Sequence, residues 1–184
     1  MGTTLEQFDA VVAKCKEIYL KKTTDYGTAW RILRPSSLTD QLYIKAKRIR
    51  TIEMQGNQQV ADSVDTEYQG IVNYSVMALI QLEKSEDQDN LELSVPLATH
   101  LFDQHVAVVR ALLSKKNHDY GEAWRDMRLS SFTDMILMKL MRIKQIEDNQ
   151  GKTLISEGLD ANYMDILNYA VFALIKLDEQ KTAS

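Results

Sequence analysis

Apolar residues recur along this chain at three-and-four spacing, the period of helices that bury one face. Leu5, Phe8, Val12, Cys15 and Tyr19 form a first stripe, which should close near Gly27, where glycine can take a left-handed conformation. Ser37-x-x-Asp40 has the form of a helix-start box and opens a second helix to about Glu53. The polar stretch Gln55–Ser63 reads as a loop. A third helix over about Val64–Leu82 should turn Tyr68, Ile71, Ser75, Ala78, Leu79 and Leu82 inward.

The cycle then repeats. Asp25-Tyr26-Gly27-Thr28-Ala29-Trp30-Arg31 returns as Asp119-Tyr120-Gly121-Glu122-Ala123-Trp124-Arg125, an offset of 94 (119 minus 25). Arg34, Ser36-Ser37, Thr39-Asp40, Lys45, Arg48-Ile49 and Ile52-Glu53 return at the same offset, as Arg128 through Ile146-Glu147. One extra residue then enters, since Asn73 and Asn168 differ by 95. Second-copy helices are expected over about Ala98–Lys116, Ser131–Glu147 and Leu159–Leu177. The predicted fold is all-α: two tandem three-helix repeats packed as a pseudo-twofold bundle, one chain imitating a symmetric dimer. Residues 1–85 form the first repeat and 98–184 the second. Between them, 86–97 form an acidic linker, read as a solvated connector.

Composition narrows the function classes. With 45% hydrophobic residues among 184, the chain can build a core. A net charge of −4 argues against general polyanion binding. The single cysteine, Cys15, fits a reducing compartment, and no secretion signal or membrane-length apolar run is visible, so a cytoplasmic location with no membrane partner is expected. A homodimer is left open. Histidines show no zinc-like spacing, and Met135, Met138 and Met141 read as core filler.

Three features carry candidate chemistry. Lys45 falls within the apolar stripe of Leu38, Leu42, Ile49 and Ile52, and Lys139 repeats this among Phe132, Ile136, Ile143 and Ile146. Such a lysine needs a carboxylate partner or a bound anion, with Arg48 and Arg142 one turn away. Asp25 and Asp119 sit in a last helical turn, where the dipole disfavours an acid. Those turns are either salt-bridged ends or ligand-facing corners whose aromatics stack a base. Finally, Glu157, Asp160, Asp165, Asn168 and Tyr169 cluster about the start of the last helix, against Asp62, Asp65, Gly70, Asn73 and Tyr74 in the first copy. Asp165 thus has a glycine opposite it.

With Asp-Tyr-Gly-x-Ala-Trp-Arg, Lys-x-x-Arg-Ile and Asn-Tyr in both copies, the chain resembles a bacterial and phage family, the nucleotide modification associated domain, first type. The resemblance implies a setting of modified nucleotides, and phage members look similar over Glu157, Asp165, Asn168 and Tyr169. A more distant resemblance is to all-α MazG-like nucleoside triphosphate pyrophosphohydrolases, which hold magnesium with acids from facing helices. Their Glu-x-x-Glu pair is replaced here by Lys45 and Arg48, or Lys139 and Arg142.

The leading expectation is a protein that binds a nucleotide or other phosphorylated small molecule, with hydrolysis left open. Mg²⁺ would sit on Asp165 with Glu157 or Asp119, Asp165 and Glu157 being the catalytic candidates. Lys139, Arg142, Arg125, Lys45 and Arg48 would face phosphate, Tyr120 or Trp124 would pack on the base, and Asp119 and Asn168 complete the site. The second copy should carry any activity, with Asp165→Asn leaving the fold intact and Gly70→Asp harmless. The alternative is a non-catalytic helical module or partner-binding scaffold.

Overall fold

A computed structural model describes residues 2–56, 63–84, 87 and 89–184. Residues 57–62 of the loop expected over Gln55–Ser63, including Asp62, and residues 86 and 88 of the expected linker lie outside the described residues. Six long helices carry the fold: α1 (Thr4–Tyr26), α2 (Pro35–Gln55), α3 (Val64–Lys84), α4 (Val95–Tyr120), α5 (Leu129–Asp148) and α6 (Leu159–Ala183). Short 3₁₀ turns, Ala29–Ile32 and Ala123–Asp126, follow α1 and α4. No strand occurs among the described residues.

Helix ends differ from expectation where proline chemistry overrides the box. Arg34 and Arg128 are the extended residues before α2 and α5, and neither caps through its side chain. Pro35, with its φ pre-set and no N–H to satisfy, opens α2 at its first position. Asp40 therefore lies inside the helix and pairs with Lys144 at 3.1 Å. Gly27 does end α1 at positive φ, 72°, but with ψ −153° it leaves the helix extended rather than left-handed. Pro96 likewise lies in the first turn of α4, so residues 95–97 of the expected linker are helical, capped by Ser94.

The repeats interlock. α3 lies along α6 at the centre, α2 packs on α5, and each repeat's first helix touches the other repeat's third. Phe8, Leu38, Leu42, Tyr68 and Ile71 are completely buried, as are Phe102, Phe132, Ile136, Tyr163 and Ile166 in the matching second-copy positions. Met138 and Met141, expected in the core, are exposed.

The polar repeat signature maps onto the interface between repeats. The Tyr68 hydroxyl lies 2.6 Å from Thr133 Oγ1, which donates to Glu53 at 2.7 Å. In the mirrored set, the Tyr163 hydroxyl lies 2.5 Å from Thr39 Oγ1, which lies 2.8 Å from Glu147. On the surface, Asp9 pairs with Arg110 and Lys16 with Asp103, each at 2.7 Å and related by the same offset. Burial holds the carboxyls of Glu53 and Glu147 above the ordinary glutamate pKa, despite the lowering effect of the threonine hydrogen bonds.

Candidate functional site

The two stripe lysines, Lys139 buried and Lys45 half-buried, meet acids, but not at equivalent positions. Lys139 Nζ lies 2.9 Å from Asp165 Oδ2, with both side chains about a tenth exposed. Lys116, from α4, donates to the other oxygen of Asp165 at 2.7 Å. In the first repeat, the Asp165 position is Gly70, and Lys45 instead reaches Glu67 at 3.6 Å, one turn earlier on α3. Arg48 joins the same carboxylate at 2.8 Å. The residue matching Glu67 is Asn162, whose amide caps back to the Gly158 carbonyl at 2.7 Å. The acid has thus moved by one helical turn between copies, and the glycine leaves room for the lysine to lie across it. A Cβ at Gly70 would come within 2.9 Å of Lys45 Cε, so Gly70→Asp requires the flexible end of the Lys45 side chain to shift.

A cavity of about 420 Å³ opens beside the second pair. Lys116 and Asp165 line one end, and Trp124, Met127 and Phe172 the other. Asn168, Tyr169 and Tyr120 line the span between. Phe172 stacks on Trp124 with centroids 4.4 Å apart and planes 7° from parallel. Asn168 is 5% exposed and its Oδ1 has no hydrogen-bond partner. Its counterpart, Asn73, donates to the Cys15 carbonyl at 3.0 Å, a bond that Asn168 does not repeat on α4. Burial pulls the Lys116 ammonium toward deprotonation, but the hydrogen bond and charge of Asp165, with Glu157 behind, outweigh it and its pKa rises. Burial also raises Tyr169, helped by the Asp165 charge.

The corners of the repeats explain why this cavity is one-sided. Leu91–Leu93, expected as solvated linker, lie against Thr28: its hydroxyl donates to the Leu91 carbonyl and accepts from the Leu93 amide, each at 2.8 Å. Glu92 fills the space beside Gly27, where a Cβ would run into its carboxylate. Gly121, the matching residue, has nothing within 4 Å of its missing Cβ. One corner is covered and the other is open.

Several expected site residues do other work. Arg125 donates to Glu122 at 2.7 Å and to Gln7 at 2.6 Å, reaches Glu179 at 3.3 Å, and lies 4.5 Å from the Trp124 ring centre. Its counterpart Arg31 is 1% exposed, bonded to Gln81 and the Lys84 and Asp87 carbonyls. Both arginines are therefore structural in placement, not phosphate-facing. Trp124 is 7% exposed between Phe172 and Arg125, so it shows the cavity an edge, whereas Tyr120 is 77% exposed. Arg142 is exposed, near enough to Tyr169 to act on it electrostatically.

The acids do not gather as the magnesium expectation requires. Asp119 is 77% exposed and lies 3.1 Å from His118, while Glu157 is exposed ahead of α6, whose cap is Gly158. No three acidic, histidine or cysteine side chains among the described residues group as a metal site. With ammonium groups on both its oxygens, Asp165 is arranged as a counter-ion. This donor set does not fit a resident divalent cation.

A family model described as nucleotide modification associated domain 1 matches residues 22–82 and again 116–177. No curated protein and no solved structure matches the chain. Among the described residues, no helix is long and apolar enough to cross a membrane.

Proposed function

Because the chain belongs to the nucleotide modification associated domain 1 family, we propose that it is a nucleotide-binding protein with one site per chain, the cavity of the second repeat. The observation that carries this reading is the polarity of that cavity: aromatic and apolar at one end, cationic at the other, with an unpartnered amide between. Aromatic walls suit a base, and an ammonium placed by an acid suits a phosphate. The first repeat keeps Lys45, Arg48 and Tyr74 but closes the matching corner with its linker, so it serves as a brace. No hydrolytic step follows from these side chains, since Asp165 is ion-paired.

Isothermal titration of the full chain with nucleotides tests this, read beside the Tyr120→Ala variant. Binding with one site per chain, weakened by Tyr120→Ala at unchanged stability, is the expected result. A specific observation favours a second reading: the repeated Thr39, Asp40 and Glu53, with their copies Thr133, Asp134 and Glu147, are spent on contacts between repeats, as part of a folding signature would be. If no nucleotide binds the native chain, the helical scaffold is the better description.

A further inference from the structure

Resting on that reading, we infer that the ligand class is a nucleoside 5′-monophosphate rather than a triphosphate. The first ground is length. Phe172, Asn168 and Asp165 succeed one another on the cavity face of α6, seven residues from end to end. At 1.5 Å per residue this spans about 10 Å, room for a base, a sugar and a single phosphate. A base against Phe172 brings the first phosphate to Lys116, and further phosphates would leave the cavity.

The second ground is charge. At the polar end Lys116 and Lys139 both pair with Asp165, two cations against one acid. A monophosphate carries about two negative charges at neutral pH, and Lys116 is placed to meet it. Each added phosphate would meet the Asp165 carboxylate with little further compensation.

Asn168 can give the base a polar contact through its amide nitrogen, which makes no hydrogen bond within the chain, whereas its Oδ1 is enclosed.

The test is titration of the full chain with adenosine, guanosine, cytidine and uridine 5′-monophosphates, their deoxy forms and the matching triphosphates, with Mg²⁺ and with chelator. At least one monophosphate should bind tenfold or more tightly than its triphosphate, unaffected by Mg²⁺. Lys116→Ala should weaken that monophosphate tenfold while leaving binding of the parent nucleoside nearly unchanged. Tighter binding of triphosphates, or a requirement for Mg²⁺, overturns the monophosphate inference and leaves nucleotide binding standing. Failure of every nucleoside and nucleotide to bind overturns both.

Discussion

Thr133 Oγ1 of the second repeat lies between the Tyr68 hydroxyl, 2.6 Å away, and Glu53, 2.7 Å away, both of the first repeat. The matching Thr39 lies between Tyr163 and Glu147 of the second. Each threonine is within 1% of full burial, so water does not reach these bonds freely. Thr133→Val should therefore destabilise by about 1–3 kcal/mol, the cost of leaving a buried tyrosine hydroxyl short of a partner. Thr39→Val should match it, and denaturant melts of the two variants check the equivalence. A neutral result for both would mean that these bonds do not hold the repeats together.

The same network predicts a pH dependence. The folded pKa values of Glu53 and Glu147 are raised above 4.5 by burial, so the folded state binds protons that the unfolded chain releases. Their contribution is complete below the unfolded value and is lost as pH rises through the folded one. Glu53→Gln combined with Glu147→Gln should flatten the decline in thermal midpoint on going upward from pH 4.5, relative to the parent. A steeper decline in the double variant would reverse the sign assigned here.

Asp165→Asn should damage the fold as well as the site. It strips the counter-ion from Lys139, which is 8% exposed, and loss of one member of a buried pair costs roughly 3–5 kcal/mol, less here because Lys116 reaches solvent. This revises the expectation that the substitution leaves the fold intact. The first repeat supplies the repair. Asp165→Gly with Asn162→Glu copies the Gly70–Glu67 arrangement and should be more stable than Asp165→Gly alone. Equal melting of the two would show that the acid cannot move along α6 as it did along α3.

Asn168→Ala should level the affinities among bases while changing stability little, because the Asn168 carbonyl has no partner to lose. The matching Asn73→Ala removes a buried bond to the Cys15 carbonyl and should destabilise by about 1 kcal/mol with no effect on base preference. Titration and melting of both variants separate the roles.

Legibility in the sequence followed the range of the interactions. Helix positions and the twofold repeat were open to reading because spacing and offset are local facts along the chain. So was the inward turn of Lys45 and Lys139, since an apolar stripe fixes which face a lysine shares. What the lysines meet was not legible: Glu67 and Asp165 stand at non-equivalent positions of α3 and α6, and only packing brings them across. Arg125 misled for a similar reason. Its motif suggests a phosphate ligand, but its partners Gln7 and Glu179 lie at opposite ends of the chain. Lys116 precedes the repeated Asp119 by three residues, yet its place beside Asp165 depends on how α4 lies against α6. One signal was available and missed. Glu67 has Asn162 opposite it just where Asp165 has Gly70, a paired exchange that points to a single relocated charge.

The relocated acid also bears on what fusion makes available to a lineage. Two identical subunits must carry every substitution twice, so a dimer cannot seal one pocket and keep the other. Joined in one polypeptide, the halves here are free to diverge: the Leu91–Leu93 strap covers the corner at Gly27 and Lys45 lies across Gly70, while the matching corner at Gly121 stays uncovered and Lys139 meets Asp165. The covalent link lets one corner change without its copy.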